Sequence, residues 1–230
     1  MAFKQYQLDD LNLTIYKRKN SRSLKINLSH SGEIKISIPR WTPYQAGLEF
    51  ARSKEAWIRA NLKDQNLLKD GQAIGKAHHL RIEPGKALKV SSRLTNQEVI
   101  VRHPEHLSAD HPQTQSVART AAIKALRGQA EQLLPQRLSF LAEKHGLNFK
   151  SVSVRQLKSR WGSCDQHKRI TLNLFLIQMP WQLIDYVLLH ELTHTQVFKH
   201  GPSFWEYMDK LLPNAKSLRK ELKAYQPVLS

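Results

Sequence analysis

The sequence predicts an α+β protein: a β-rich amino-terminal lobe over residues 1–105 that contains one long helix, and a mainly helical lobe over residues 113–230. In the first third, apolar residues alternate with polar ones, which is the period of a half-buried strand. In the second half, apolar residues recur at intervals of three and four, which is the period of a helix face. The segment 103–115 is polar and contains Pro104 and Pro112, so it is predicted to link the lobes.

Three alternating stretches near the amino terminus each predict a strand of an antiparallel sheet. Their apolar positions are Leu11, Leu13 and Ile15, then Leu24, Ile26 and Leu28, and then Ile34, Ile36 and Ile38. A turn is predicted at 30–32, where the sequence reads His-Ser-Gly, and Pro39 ends the third strand. A helix is predicted to follow, with Thr42 as its cap and Pro43 at its first position. Short apolar runs predict further strands around 80–82, 88–90 and 99–101.

The second half begins with a helical pattern over 117–144, which Pro135 is expected to kink or divide. A short strand is predicted around 152–154, and a clearer alternation over 170–176 predicts a longer one. Pro180 then begins a predicted helix with an apolar first half.

The net charge is the most unusual feature of the composition. The 230 residues include 36 Lys and Arg against 19 Asp and Glu, which gives a formal net charge of +17. Such a surface attracts anions, so the sequence predicts an anionic substrate, either a nucleotide or an acidic peptide, and makes nucleic acid a candidate partner. The same charge also suits an ordinary solvated face, and charge alone does not separate the two interpretations.

Cys164 is the single cysteine, so the chain cannot form an internal disulfide, which fits a reducing compartment. We expect it to be a small buried residue and not a nucleophile. The amino terminus lacks the apolar stretch of a secretory signal, and no window approaches the roughly 20 apolar residues of a membrane span. We therefore expect a cytoplasmic protein that does not span a membrane.

The segment 190–194 reads His-Glu-Leu-Thr-His, an H-E-x-x-H pattern on the helix that follows Pro180. Residues four apart lie on one face of a helix, so His190 and His194 can bind the same ion. Neutral imidazole is a preferred ligand of Zn²⁺. Glu191 lies next to a ligand and is predicted to be the catalytic base, which takes a proton from a water molecule that the zinc activates.

A third metal ligand is predicted at His200, six residues after His194. On an uninterrupted helix this separation would turn His200 by about 240° around the axis, away from the metal. The chain must therefore bend between the two, and Gly201-Pro202 offers a break and a new helix start. The ordinary alternative is a chance match with packed core histidines, but the predicted helix and the third histidine favour a metal site. Five other histidines lack this context and are predicted to lie on the surface: His78, His79, His103, His106 and His111.

Several stretches together resemble the YgjP-like family of H-E-x-x-H zinc metallohydrolases. They are Ser159–Cys164, Ile170–Asn173, Pro180, Asp185–His194 and His200–Trp205. The resemblance implies a zincin-like catalytic lobe, similar to minigluzincins and SprT-like proteases. It also implies a zinc site of three histidines with a glutamate base, carried onto His190, His194, His200 and Glu191. The glycine of the metzincin turn is replaced by Val197, so the chain is not assigned to that group.

The resemblance leaves the substrate open, because the family is metallopeptidase-like while some members are described as UTP pyrophosphatases. Arg155, Lys158 and Arg160 precede a Trp161-Gly162 turn, and we expect these cations to hold phosphate or carboxylate oxygens if the segment lines the cleft. Trp161 would either stack on a base or pack as core. Asn173 would either contact a peptide added to the strand 169–176 or cap a turn.

Three hypotheses for function therefore remain from the sequence. The first is a zinc metallopeptidase, the second is a nucleoside triphosphate pyrophosphatase on the same site, and the third is a nucleic-acid-associated protein with a protease-like zinc site. A zinc-activated water can attack a carbonyl or a phosphoryl group, so the metal site alone does not decide between the first two.

Overall fold

The computed structural model describes residues 3–9, 11–19, 21–28, 34–225 and 229. The chain forms two compact units, Met1–Leu67 and Leu68–Ser230. The first is a sheet with two helices and the second is mainly helical with two smaller sheets, which confirms the predicted α+β class. The units divide earlier than the predicted lobes, because strands between residues 73 and 104 pack on the long helix of the second unit.

The first unit is built on a four-stranded sheet of order β1-β2-β4-β3. Its strands are β1 (Phe3–Leu8), β2 (Leu11–Arg18), β3 (Lys25–Leu28) and β4 (Ile34–Pro39). Strands β2, β3 and β4 match the three predicted strands, and β1 is an addition. The β2–β4 pair is parallel, whereas the other two pairs are antiparallel as predicted. The predicted turn at 30–32 lies outside the described residues.

Two helices, α1 (Tyr44–Ser53) and α2 (Glu55–Asn66), replace the single long helix predicted for this region. The backbone of Lys54 leaves helical geometry, with φ −113° and ψ 12°, and this interrupts the helix. The predicted cap at Thr42 is wrong: Pro43 is the capping residue, and no side chain caps the first turn. The apolar faces of the sheet and helices form one buried cluster, which includes Leu13, Ile15, Ile34, Ile36, Ile38, Ala51 and Ile58.

The second unit begins with a sheet of order β5-β6-β8-β7. Its strands are β5 (Ala73–Ile74), β6 (His78–Gly85), β7 (Ser91–Leu94) and β8 (Glu98–Pro104). The strands predicted around 80–82 and 99–101 are confirmed as β6 and β8. The strand predicted around 88–90 is wrong, because Leu88 is 90% exposed in a bend and the strand starts only at Ser91.

Helix α3 (Pro112–Lys144) runs without a break through Pro135. A proline removes the hydrogen bond to the carbonyl four residues earlier, which here belongs to Glu131. Glu131 is exposed, so water can satisfy that carbonyl and the helix is not divided as predicted. The opposite face of α3 is buried, with Ala118, Ala122, Leu126, Leu134 and Leu138 fully inaccessible. This face forms the centre of the second unit's core.

A second small sheet of order β10-β11-β9 contains β9 (Ser151–Arg155), β10 (Gly162–Cys164) and β11 (Arg169–Asn173). Strand β11 is parallel to β9 and antiparallel to β10. The strand predicted over 170–176 therefore ends early, and Leu174–Gln178 forms a 3-10 helix instead. The first four residues of this 3-10 helix are all buried, so their apolar character does not distinguish a strand from a tight helix.

Three helices complete the second unit: α4 (Trp181–Thr193), α5 (Pro202–Leu211) and α6 (Ala215–Ala224). Helix α4 matches the predicted motif-bearing helix and contacts α3, α5, α6 and strand β10. Most of its residues are buried because neighbours surround it on several sides. Within the described ranges, no helix is long and apolar enough to cross a membrane.

Two histidines predicted to be exposed are inside the second unit. His103 is only 8% exposed, and its Nδ1 donates to the carbonyl of Pro104. His78 is half-buried between the carbonyl of Thr95 and the side chain of Gln129. Each ring has a hydrogen-bond partner, which is what allows burial. His79 and His106 are exposed as predicted, and His111 is half-buried at the start of α3.

The buried side chain of Gln129 fastens the turn between β5 and β6 to helix α3. Its Oε1 accepts from the backbone N–H groups of Lys76, at 2.6 Å, and Ala77, at 3.1 Å. Its amide nitrogen donates to the carbonyl of Ile74 at 2.9 Å and lies 2.7 Å from Nδ1 of His78. One side chain thus satisfies four polar groups in and next to this turn.

We expect Gln129→Leu to lower the free energy of unfolding by about 2–4 kcal/mol, because two backbone N–H groups lose their acceptor. Urea unfolding followed by circular dichroism measures the change. Gln132→Leu is the matched control on an exposed position of the same helix, with an expected effect within about 0.5 kcal/mol. Equal effects of the two substitutions would show that Gln129 has no anchoring role.

Candidate metal centre

The two motif histidines lie at the carboxyl-terminal end of α4. His190 is in the last turn, and His194 is the residue that caps the helix. The backbone then turns back, with the N–H groups of Thr195 and Val197 donating to the carbonyls of Leu192 and Thr193. The chain thus leaves the helix axis directly after the motif, which is the bend that the sequence required.

His200 returns to the motif from the segment before α5. Its Nε2 lies 2.9 Å from Nε2 of His190 and 3.1 Å from Nε2 of His194. These three histidines form a group whose ligand atoms lie within 4.8 Å of one another. The fully buried ring of Phe204, from the first turn of α5, packs against all three imidazoles at centroid distances of 4.7–4.9 Å. The structure therefore brings together the three predicted ligands.

The donor set fits a zinc ion better than it fits a hydrogen-bond network. A neutral imidazole nitrogen is either a donor or an acceptor, so Nε2 of His200 cannot donate to one neighbour and accept from the other at the same time. Three lone pairs that face one point are instead satisfied by a cation. Tetrahedral zinc with Zn–N distances of about 2.0–2.1 Å places its ligand nitrogens roughly 3.3 Å apart, close to the separations found here.

The protonation states of the motif histidines also suit metal binding, which requires neutral imidazole. Burial, with a smaller contribution from the charges of His194 and His200, lowers the pKa of His190 to about 3. Nδ1 of His194 donates to the carbonyl of Val197 at 3.3 Å, and this tautomer leaves the Nε2 lone pair free. Nδ1 of His190 is buried and has no hydrogen-bond partner among the described residues.

Glu191 lies beside these rings in a buried position, with 5% exposure. Its Oε2 has no hydrogen-bond partner within the described part of the chain. Burial raises the pKa of Glu191 to about 8, and the Arg160 guanidinium opposes part of the rise. A cation held by the histidines would add a second nearby positive charge, which, like Arg160, lowers the pKa of Glu191. The metal-loaded site therefore favours the ionised carboxylate.

The backbone of strand β10 packs closely against the carboxyl group of Glu191 at Gly162. A Cβ atom placed on Gly162 would lie 2.7 Å from Oε1 and 2.9 Å from Cδ of Glu191. Real Cβ atoms do not approach other atoms so closely, so only glycine allows this strand to reach the glutamate. Gly162 is therefore a positioning residue for the predicted base.

The predicted substrate-binding residues are only partly brought to the site. Trp161 is half-buried and borders two cavities of about 260 Å³ each. One cavity adjoins His190 and Glu191, and the other is lined by Lys158 and Arg160. Arg155 is exposed at the end of β9 and does not line either cavity. Lys158, Arg160 and Trp161 thus stay candidates for substrate contact, whereas Arg155 lies apart from them.

Asn173 caps the turn after β11, which is one of the two roles predicted for it, and it also lines the cavity that Lys158 and Arg160 border. It is 4% exposed, and its Nδ2 donates to the carbonyls of Leu157 and Arg160, both at 3.0 Å. Its Oδ1 accepts from the N–H of Phe175 at 3.2 Å. These bonds use both amide hydrogens, so Asn173 shapes the loop that carries Arg160 and caps the following turn.

Sequence reasoning missed four residues at the centre: Gly162, Tyr186, Arg219 and Lys223. Tyr186, one turn before His190, lines the same cavity, and its burial raises the pKa of its hydroxyl. Arg219 and Lys223 come from α6 and have no motif around them, so their i, i+4 spacing was the one available signal.

Cys164 is half-buried, and burial raises the pKa of its thiol to about 11, in agreement with the predicted structural role.

A family model described as YgjP-like, metallopeptidase domain, matches residues 22–225. The chain belongs to the YgjP-like family. The match covers both the histidine motif and most of the first unit, and the family makes the protein a zinc-dependent hydrolase. No curated protein matches the sequence.

Two solved structures are similar to part of this YgjP-like protein. The metallopeptidase zymogen abylysin of Pyrococcus abyssi is 23% identical, covers 40% of this chain and 93% of its own, and has a TM-score of 0.37. The metallopeptidase zymogen jannalysin of Methanocaldococcus jannaschii is 16% identical, covers 40% of this chain and 94% of its own, and has a TM-score of 0.36.

We expect His200→Ala to weaken zinc binding by more than about a hundredfold. Loss of an outer-shell partner already weakens metal binding roughly 10- to 100-fold, and His200 is predicted to bind the metal directly. Competition with a chromophoric chelator measures the affinity. His106→Ala removes an exposed histidine and is the matched control. Unchanged affinity in the His200 variant would assign the third ligand to another residue.

A second prediction concerns Gly162. Gly162→Ala should keep zinc bound, because the three histidines lie on other elements, but should lower kcat/KM about ten- to a hundredfold by displacing Glu191. Gly128→Ala is the control, since a Cβ there meets no atom within 4 Å. Full activity of Gly162→Ala would mean that the close contact does not position the glutamate.

Proposed function

We propose that this protein hydrolyses peptide bonds, with zinc held by His190, His194 and His200 and with Glu191 as the general base. The observation that supports this proposal is the convergence of three Nε2 atoms: those of His190 and His194 lie 2.9 and 3.1 Å from that of His200. Next to His190 in the sequence is the buried Glu191, whose Oε2 has no hydrogen-bond partner among the described residues. A structural zinc site would be closed by four ligands. Three histidines without a fourth neighbouring ligand among the described residues suit a catalytic site.

Each residue of the centre has a distinct task in this proposal. The three histidines bind the metal, and Phe204 holds their rings in place by packing against all three. Zinc in such a site acts as a Lewis acid that polarises a carbonyl and lowers the pKa of water. Glu191 accepts a proton from the attacking water at its carboxylate and returns it to the leaving amine.

Strand β10 offers the binding surface for an extended peptide. The sequence assigned this task to the strand 169–176, but β11 lies between β10 and β9, so both of its edges are already paired. Strand β10 is at the edge of the sheet, and its Gly162 touches Glu191. A peptide that adds to this edge through main-chain hydrogen bonds would place its backbone close to the glutamate.

Nucleoside triphosphate hydrolysis is the second candidate, and the cations around Trp161 favour it. Lys158 and Arg160 line one of the adjoining cavities, while Arg219 and Lys223 line the other. Cations suit phosphate oxygens, and an indole can stack on a base.

The nucleic-acid hypothesis stays a prediction supported by the net charge of +17. A cytoplasmic location likewise stays a prediction, based on the single cysteine.

We expect Glu191→Gln to keep stoichiometric zinc and to lower turnover about 10²- to 10⁴-fold, because the amide cannot accept the proton. Metal analysis and cleavage of a peptide library measure the two properties. Glu206→Gln, which removes an exposed carboxyl paired with Lys210, is the matched control with normal turnover. Full turnover by Glu191→Gln would refute the assignment of the base.

A parallel panel of nucleoside triphosphates separates the two candidate functions. Peptide cleavage that depends on Glu191, without release of pyrophosphate or phosphate, supports the peptidase. Release of pyrophosphate or phosphate that depends on Glu191, without peptide cleavage, overturns it in favour of the nucleotide hydrolase.

A further inference from the structure

Helix α6 supplies two cations to the cavity next to the predicted base. We call this cavity the α6 pocket; it has a volume of about 260 Å³ and is lined by Trp161, Tyr186, His190, Glu191, Arg219 and Lys223, among others. Arg219 and Lys223 lie four residues apart, so they occupy the same face of α6. The pocket therefore has the catalytic residues on one wall and positive charge on another.

The guanidinium of Arg219 is held in place. Its Cζ lies over the indole ring of Trp205, 4.5 Å from the centroid, and this cation–π contact restrains the group. The ring of Trp205 is itself only 6.2 Å from His190 and 6.1 Å from His200, measured between centroids. The buried residue Leu218 anchors the helix next to Arg219.

Neither cation has a carboxylate partner in the described part of the chain. Other exposed cations form ion pairs, as Lys210 does with Glu206 and Arg169 with Asp165. For Arg219 and Lys223, no carboxylate of the described residues lies within ion-pair distance. The two positive charges are therefore available to a ligand in the pocket.

The size and walls of the pocket indicate what kind of group it accepts. About 260 Å³ corresponds to roughly nine water molecules at about 30 Å³ each, and is smaller than the pockets that enclose whole ligands. It is thus large enough for one side chain or one phosphate. Trp161, Val187 and Leu222 give it apolar walls. A group with a short apolar stem and an anionic end matches both features.

We propose that the α6 pocket is a substrate subsite that binds an anionic oxygen group, with Arg219 as its main specificity-determining residue and Lys223 as a second one. In a peptide, this group is the carboxylate of a Glu or Asp residue near the scissile bond. The inference rests on the proposed function, because the subsite controls specificity only if the reaction takes place at Glu191.

The test compares matched peptides that carry Glu or Gln at each position around the cleaved bond. The wild-type protein should prefer Glu at one position by about ten- to a hundredfold in kcat/KM, the range expected for hydrogen bonds to a charged group. Arg219→Gln should lower this ratio to near one, and Lys223→Gln should lower it less. Lys220→Gln, on the same helix outside the pocket, is the matched control and should keep the ratio.

Charge reversal adds an outcome that a purely structural role would not produce. Arg219→Glu should shift the preference at the same position from Glu to Lys, with zinc content unchanged. A wild-type protein without any preference for Glu, or an Arg219→Gln variant that keeps the full preference, would overturn the proposal. Equal losses on the Glu and Gln peptides would also overturn it, since Arg219 would then act only through Trp205.

The outcomes separate this inference from the proposed function. If Glu191→Gln abolishes cleavage and the Glu preference is missing, only the subsite fails. If peptides are not cleaved but a nucleoside triphosphate is, the peptidase proposal fails, and the anion to be bound is a phosphate. Arg219→Gln must then raise KM for the nucleotide at least about tenfold over Lys220→Gln, and equal KM values would overturn the subsite as well.

Discussion

The end of helix α4 at Thr193 is the constraint on which the metal centre depends. A straight helix can direct two histidines four residues apart to one point, but it would turn a third one away. The backbone leaves the helix directly after His194, and the next six residues return His200 to within 3.1 Å of both motif nitrogens. Phe204, the first buried residue of α5, fixes this return because it packs against all three rings.

The same arrangement lowers the stability of the fold around the site. Glu191 is buried without a partner for Oε2, and isolated buried carboxyl groups destabilise folded proteins unless they stay protonated or are compensated by charge. Arg160 supplies part of that compensation, and a bound cation would supply more. Gly162 permits the close approach of β10 that closes the site on this side. The centre thus combines an unsatisfied base, three converging lone pairs and a strand edge.

Local patterns predicted elements well where apolar and polar residues alternate or where a motif marks a helix. Strands β2, β3 and β4 were predicted from their alternation, and helix α4 was predicted from Pro180 and the H-E-x-x-H motif that follows it. The prediction was wrong where burial is complete or where distant segments compete. The four residues after Asn173 are all apolar and all buried, so their pattern does not distinguish a strand from a 3-10 helix. Asn173 could not be recognised as a loop anchor, because its partners Leu157 and Arg160 are set by tertiary structure.

The amino-acid sequence alone is enough to predict the chemistry of the centre: the two motif histidines, the neighbouring glutamate and a third histidine beyond a helix break. These features are local, since helix periodicity and the Gly201-Pro202 break act over a few residues. The side chains that surround these residues are set by packing between distant segments of the chain. Gly162, Arg219 and Lys223 lie 29 residues before and 28 and 32 residues after Glu191, and packing of β10 and α6 against α4 brings them together. Such contacts arise from long-range burial of apolar faces, for which a single sequence carries no local signal.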